Sequence, residues 1–384
     1  MKNCSFPKVI ECIEAQNPMY EVTSIGEMEI LKRMGVNMSK IIYTNIYKPA
    51  ETLKFAIENG VGIYAIDSSS DMKRVRSAAR DLDERVNVLI RVNPALGGIR
   101  DAVFASSVPW SKTGAEICKG NPDCAENLIE VASRTDNFNL LGLHGHLGSQ
   151  MENLEYYRRF VKSMLDFYAE MVSRYNLRMK TLDLGGGYPV KYEPGKPVPS
   201  AREIADVIIE GIEDHGTRNS LIIESGRYVT SNAGTLVTRI VSVKHTSSHD
   251  NIAVMDVSTY NHLLDSILVD WYFATEKVGG RRGKLGEVHF VGCTNDSLDH
   301  LDPAVDRVCP ICGNDVHRKR SRLMPPIKEG DVVAIRNSGA YTTCFNNNYC
   351  SIPRCPVLLQ RRRGETILVR RQERIGDMLS LNVA

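Results

Sequence analysis

The sequence predicts an α/β plus β fold: a (β/α)8 TIM-like barrel over residues 1–228, its first strand missing, then a mostly antiparallel β domain over residues 229–384. Three observations predict it. Short apolar strands alternate with helical stretches from residue 20 to 228, the strands end in polar or reactive residues, and after residue 229 the rhythm gives way to β-type runs separated by turn residues. Near-continuous apolar strands followed by helices imply a parallel sheet. Chemistry gathered at strand C-termini belongs to a barrel. A doubly wound sheet would carry its Gly-rich turn after the first strand, and here the glycines come late.

The predicted barrel strands are YEVTS (20–24), IIYTN (41–45), GIYAID (62–67), VNVLIRVN (86–93), LLGLHGH (140–146), TLDLGGG (181–187) and LIIES (221–225). Helical patterns such as GEMEILKRMG and NLEYYRRFVKSMLDFYAEMVSRY lie between them, and residues 95–125 form a long connection over the barrel mouth. That makes seven strands where a closed barrel needs eight. The eighth would end about where Met1 begins. The expectation is therefore that Met1 is not the natural start or that the chain is a fragment, with Lys2 on a fraying terminus. The later runs GTLVTRIVSVKHTS, NIAVMDVSTY, EVHFVG, DVVAIRNSGAY, PVLLQRR and ETILVRR build the β domain.

Bulk composition excludes several function classes. A net charge of +2 with 24% charged residues makes no global case for nucleic acid or a membrane surface. The basic runs 317–322 and 361–371 are expected to be solvated faces or edge strands. No apolar run approaches the roughly 20 residues of a membrane-spanning helix. Pro7, Lys8 and Glu11 interrupt any signal-peptide core. Ten cysteines without a framework spacing suggest a reducing, cytoplasmic setting.

LDLGGGYP (182–189) follows the seventh strand in a count that includes the missing one, and IIESGRYV (222–229) follows the eighth. Gly185, Gly186 and Gly187 allow backbone N–H groups to approach an anion, and Gly226 with Arg227 would complete a phosphate site. Glu224 lies one strand from these glycines. A carboxylate beside a phosphate needs a cation to face, and the pyridinium nitrogen of pyridoxal phosphate supplies one, kept protonated so that the ring draws electrons. His146 offers a ring to lie against the cofactor, and Ser149 a hydroxyl for its phosphate. Taken singly, a GGG run is an ordinary tight turn and a strand-end histidine is a structural residue.

Together KNCSFPK, YEVTS, GLHGHLGSQ, LDLGGGYPVKY, IIESGRYVTSNAGTLVTRI, NSGAY and NNNYCSIPR resemble, in order over nearly the whole chain, the barrel-type pyridoxal-phosphate decarboxylases, which include the diaminopimelate, ornithine and lysine decarboxylases. The resemblance implies a head-to-tail homodimer with shared active sites and decarboxylation of a basic or diamino acid through a Schiff base on Lys2. It places Lys2, Arg91, His146, Ser149, Gly185, Gly186, Gly187, Glu224, Gly226, Arg227 and Tyr341 at cofactor positions, and Asp296 at the substrate's distal end.

The chain departs from that pattern in places. Asn295 stands where the family has its catalytic cysteine, and an amide does not give up a proton near neutral pH; Cys293, two residues away, is the candidate substitute. Ser225 replaces the family proline. YNHLLDSILVDWY (260–272) carries Asp265, a substrate-binding candidate, where diaminopimelate decarboxylases have an arginine, which weakens the case for diaminopimelate; Asp270 and Asp296 lean slightly towards a distal ammonium. Cys309, Cys312 and His317 offer a C-x-x-C pair and a histidine, short of zinc's usual four ligands; an irregular loop is expected and no metal. Asn295 also keeps alive a second reading, a catalytically impaired relative that binds partners as antizyme inhibitors do.

Overall fold

The computed structural model describes residues 1–99, 104–216, 219–245, 247, 251–269, 271–279, 283–301, 307–308, 315–316, 322–362 and 364–381. It divides into two units, one of Met1–Pro189 and Pro197–Tyr228, the other of Val190–Lys196 and Val229–Ala384.

The first unit is a parallel sheet wrapped by helices. Its strands β1 (Tyr20–Val22), β2 (Ile41–Thr44), β3 (Ile63–Ile66), β4 (Val86–Asn93), β5 (Phe138–Gly145), β6 (Thr181–Asp183) and β7 (Ser220–Ile222) pair in that order. Both faces of β2 and β3 are buried throughout, which explains why these strands read as unbroken apolar runs. Alternation sorts the side chains. Ile41, Tyr43, Tyr64, Val88, Ile90, Leu143 and Leu182 face the helix-side core. Ile42, Ile63 and Leu89 face the other way and cluster with Leu141 and Ile222. Ile222 of β7 packs against the group that holds Ile42 of β2, which requires the sheet to curl.

Several strand-end polar residues serve structure. Ser24 caps the helix Ile25–Arg33 by accepting the Glu27 N–H at 3.3 Å. Ser68 does the same for the helix Ser69–Asp81. The Asn45 amide donates to Thr23 O at 2.9 Å. The connection 95–125 is tied down rather than loose: Phe104–Ala105 pairs with Gly148–Ser149, and Ala115–Glu116 pairs with the end of β4. Cys118 and Cys124 form a disulfide within it, a pairing the scattered cysteine spacing did not suggest. The Asp123 carboxylate, next to Cys124, accepts the Ser69 N–H at 2.7 Å.

The N-terminal stretch is held, in contrast to the fraying expected of it. The Met1 ammonium donates to Glu21 O at 3.0 Å, and the Asn3 amide donates to Gly226 O at 3.2 Å. Residues 1–3 thus link β1 to the turn after β7.

The second unit holds a six-stranded sheet. Its strands are β8 (Thr235–Lys244), β9 (Ile252–Met255), β10 (Thr275–Lys277), β11 (Gly286–Val291), β12 (Arg322–Met324) and β13 (Val332–Arg336), in the order β10-β13-β8-β9-β11-β12. All pairs are antiparallel except β9 with β11. Val190 and Tyr192 belong to this unit's core, where the Tyr192 ring lies 5.0 Å from Trp271 and 5.6 Å from Phe273. The basic run 317–322 was expected to be a solvated face or an edge strand; its described member Arg322 opens β12 at the edge of the sheet, and its side chain is buried. Its guanidinium donates to Phe273 O and stacks 4.2 Å from the Tyr272 ring, so its charge is met by a carbonyl and a ring face instead of water.

One buried charge pair holds the strand ends of the first unit. Lys48 Nζ donates to Asn45 O at 2.7 Å, Ala65 O at 2.7 Å and Asp71 Oδ2 at 2.6 Å. Both side chains are 0% exposed. Burial pulls the amine down and pushes the carboxyl up, yet three acceptors around Nζ call for three protons, so the pair is charged. Removing one partner strands the other. Asp71→Ala is therefore expected to lower stability by about 3–5 kcal/mol, read as a fall in the denaturant midpoint at unchanged slope. A loss below about 1 kcal/mol, the scale of an exposed pair, would show that the pair does not carry that weight.

Candidate active site

Three neighbouring strands place one row of polar side chains on the inner face of the first sheet. Arg91 pairs in register with His144, and His144 with Asp183. Each follows a residue of the outer core (Ile90, Leu143, Leu182), so alternation turns each inward. Glu224 joins the row two residues beyond Ile222. His144, Asp183 and Glu224 present ligand atoms within 4.8 Å of one another. Sequence reasoning singled out Arg91 and Glu224 but passed over His144 and Asp183. The signal that finds them is their position one residue beyond an outward-facing leucine on two adjacent strands.

The row carries a defined charge. His144 Nε2 lies 3.6 Å from Glu224 Oε2. Two carboxylates this close do not both ionise readily. Burial, with the charge of Glu224 second, pushes the Asp183 carboxyl well above its usual range. Burial also raises Glu224, but His144 and then Lys2 and His146 outweigh it and hold the carboxylate below its usual range. The proton of the pair therefore sits on Asp183, and Glu224 stays ionised. Its Oε1 is buried and accepts no hydrogen bond among the described residues, which leaves that oxygen for a donor from outside.

Lys2 sits at the rim of this row. Its Nζ is 3.3 Å from Glu21 Oε1, and it lies close enough to affect both His146 and Glu224 electrostatically. His146 is held by the glycine loop: Gly186 N–H donates to its Nδ1 at 3.0 Å, which assigns the neutral ring's proton to Nε2. The loop is glycine by necessity. A Cβ on Gly186 would lie 2.1 Å from Glu224 O, and Gly185 and Gly187 have φ of +63° and +106°. Gly185 N–H donates to Asp183 Oδ1 at 2.9 Å. Gly187 is thus the one of the three whose N–H no inner-face side chain engages. Arg227 Nε donates to the Ser149 hydroxyl at 3.2 Å, and Gly226 is fixed through Asn3. Lys2, Arg91, His146, Ser149, the three glycines, Glu224, Gly226 and Arg227 are thereby gathered in one unit. An orphaned carboxylate oxygen, a cationic arginine beside a hydroxyl, a glycine loop and a lysine at the rim suit a ligand with a basic ring nitrogen, an anionic group and an electrophilic carbon.

The remaining candidates lie in the second unit. Asn295 is exposed on the turn that follows β11, and so is Cys293, whose thiol burial and the neighbouring Asp299 push up. Asp296 accepts the Tyr260 hydroxyl at 2.9 Å, Leu298 N–H at 2.9 Å and the Tyr349 hydroxyl at 2.7 Å. These donors hold its carboxylate below the usual range. Asp299 anchors the turn by accepting from both Thr259 and Thr294. Asp265 is buried in the short helix Leu264–Leu268. Tyr341 has a φ of +57°, its ring 5.9 Å from Phe345. Asp270, Cys309, Cys312 and His317 lie outside the described residues.

Comparison with known proteins identifies the family and the fold. Residues 1–231 match the family model described as pyridoxal-dependent decarboxylase, pyridoxal binding domain, and residues 227–339 match its C-terminal sheet domain. The chain is 27% identical over 359 residues to the diaminopimelate decarboxylase of Pseudomonas aeruginosa, covering 94% of this chain and 79% of that protein. It is 24% identical over 367 residues to that of Aquifex aeolicus, covering 96% and 81%. The fold is that of the M. jannaschii diaminopimelate decarboxylase solved in complex with L-lysine, at a TM-score of 0.88 and 23% identity, over 100% of this chain and 83% of that one.

His146 provides a test of the site's electrostatics. Burial, then the Lys2 charge, pulls its imidazole down to about 3. An unfolded histidine titrates near about 6.5, so between these values the unfolded chain binds the extra proton. Stability from this residue is present above pH 6.5 and lost as pH falls towards 3. The parent is expected to lose stability relative to His146→Asn as pH drops from about 6.5 to 4.5. The ring should show no NMR titration between about pH 5 and 8. Parallel stability profiles, or a midpoint near 6.5, would contradict the buried neutral ring.

Proposed function

Because the chain belongs to the pyridoxal-dependent decarboxylases, we propose that it removes the α-carboxylate of a basic or diamino acid, with its cofactor bonded to Lys2 and the cofactor's ring nitrogen on Glu224. The observation that carries this reading is the meeting, at one set of strand ends, of the Lys2 amine, the orphaned Glu224 oxygen and the Arg227–Ser149 pair. Bound pyridoxal phosphate supplies the electron sink for the pair left by the departing carboxylate.

The chain's own groups prepare that chemistry. Glu21 holds the Lys2 amine at the rim. The ionised Glu224 favours a protonated ring nitrogen, which deepens the sink. Arg227, Ser149 Oγ, Gly226 and the Gly187 N–H take the phosphate, with charge-assisted hydrogen bonds from the guanidinium. Neutral His146, its Nδ1 occupied by Gly186, presents its ring without adding a charge against Lys2. Arg91 adds positive charge to the row, and Asp67 lies 3.9 Å from its Nε.

The second unit's loop is assigned to the site of a partner copy in a head-to-tail homodimer, a reading that rests on the family pattern and predicts a solution mass twice that of the chain. Tyr341 would reach the cofactor, and Asp265, Asp270 and Asp296 the substrate. Ionised Asp296 suits a distal ammonium. The Cys293 thiol, pushed up by burial, holds a proton at neutral pH and is the candidate to return one to the α-carbon; the Asn295 amide is not. Asn295 is also what favours the second reading, a partner-binding relative with impaired catalysis.

A panel of L-lysine, L-ornithine, L-arginine and meso-diaminopimelate, scored by carbon dioxide release with and without pyridoxal phosphate, decides between the two. Release from at least one substrate, cofactor-dependent and lost in Lys2→Ala, is expected. Asn295→Cys should raise the rate, on the scale of about 10²-fold that a positioned acid contributes. No release from any substrate by a chain that binds the cofactor would overturn the decarboxylase reading and support the partner-binding one.

A further inference from the structure

The inner row contains more buried polar atoms than the proposed reaction uses. Both ring nitrogens of His144, Asp183 Oδ2 and Glu224 Oε1 are buried and make no hydrogen bond among the described residues. His144 is 1% exposed and Asp183 0%. Four orphaned atoms in so small a volume are costly unless they satisfy one another or a ligand.

Building on the reading that Glu224 faces the cofactor's ring nitrogen, we propose that Asp183 and His144 form a hydrogen-bonded relay behind it. In this relay the Asp183 carboxyl proton is donated to the imidazole, and the imidazole Nε2–H is donated to Glu224 Oε2. The strand register puts His144 beside Asp183, and the 3.6 Å between Nε2 and Oε2 needs only a small closure to become a hydrogen bond. The balance of protons agrees. Asp183, raised by burial and by Glu224, holds the proton that the relay donates, and Glu224 remains the ionised end. Three of the four orphaned atoms are then used, and the fourth, Glu224 Oε1, is left for the ligand. His144 and Asp183 are positioning residues: they fix the orientation and charge of a carboxylate that touches the cofactor, and touch no reacting atom themselves.

The same three ligands would also suit a divalent cation. A cation would engage Glu224 and compete with the ring nitrogen, whereas a relay leaves that oxygen available. The two arrangements make opposite predictions for chelation.

The full chain is titrated with pyridoxal phosphate, reading affinity by equilibrium binding and the bound cofactor's absorbance as a function of pH. His144→Phe is expected to weaken affinity about tenfold or more, the scale of a lost hydrogen bond to a charged group, and to shift the pH at which the absorbance changes. His144→Gln, which keeps a donor, should recover most of that loss. Asp183→Ala should weaken affinity, and Asp183→Asn, which keeps a neutral donor, should recover it. Treatment with EDTA should leave affinity unchanged.

Unchanged absorbance and affinity in His144→Phe, no rescue by the glutamine, or affinity that rises with EDTA would each overturn the relay. Glu224→Gln separates the relay from the reading beneath it. If that variant alters neither affinity nor absorbance, Glu224 does not face the ring nitrogen and the site reading fails. If it alters both while His144→Phe alters neither, the relay alone fails. Cooperative melting of each variant shows that it is folded, and a variant that does not melt cooperatively is replaced by its conservative partner in the comparison.

Discussion

The charge on Glu224 is the constraint on which the rest of the first unit depends. A carboxylate at the buried end of a parallel strand is costly unless cations and donors answer it. Here they are His144 beside it and Lys2 at the rim. The second carboxyl of the neighbourhood, Asp183, gives way by keeping its proton. Without that sorting, two buried negative charges would face each other. With it, one oxygen of an ionised carboxylate is left buried and without a hydrogen-bond partner among the described residues, as the proposed contact with a ring nitrogen requires.

Backbone geometry follows from the same constraint. The chain after β6 must pass within a Cβ's width of Glu224 O, and only glycine can do so. That passage gives Gly186 an N–H close enough to hold His146 and Gly185 an N–H close enough to hold Asp183. The N-terminal stretch reaches the other side, where Asn3 fixes Gly226 and Met1 fixes β1, so that Lys2 is carried between two anchored points. The buried Lys48–Asp71 pair sets the ends of β2 and β3 in a similar way, by giving one ammonium three acceptors from three segments.

What was legible in the sequence was what burial writes directly into it. Strands buried on both faces read as apolar runs, and GGG followed by E-x-G-R one strand later marked two loops that the fold brings into contact. Residues whose role depends on register were not legible in the same way. His144 lies two residues before the motif histidine His146 and Asp183 two before the motif glycine Gly185, and only the pairing of β5 with β6 shows them as neighbours. Ser24 and Asn45 read as reactive strand ends, but a serine before a helix is equally a cap, and the structure uses it as one. Arg322 sits in a basic run that reads as a solvated face or an edge strand; it opens the edge strand β12, and the sequence does not show that its side chain turns in to a carbonyl and an aromatic face. The Cys118–Cys124 pairing depends on how the loop around Asn121 turns back, which spacing alone does not specify.

The account stands on Lys2 being the residue to which the cofactor is bonded, because the ligand proposed for Glu224, the glycine loop and Arg227 would have to reach this lysine. The direct measurement is reduction of the cofactor-loaded chain with borohydride, followed by proteolysis and mass mapping of the modified peptide. The account predicts a single stable adduct on Lys2 that is absent from Lys2→Ala. An adduct on another lysine, or none from a folded chain saturated with pyridoxal phosphate, would contradict it.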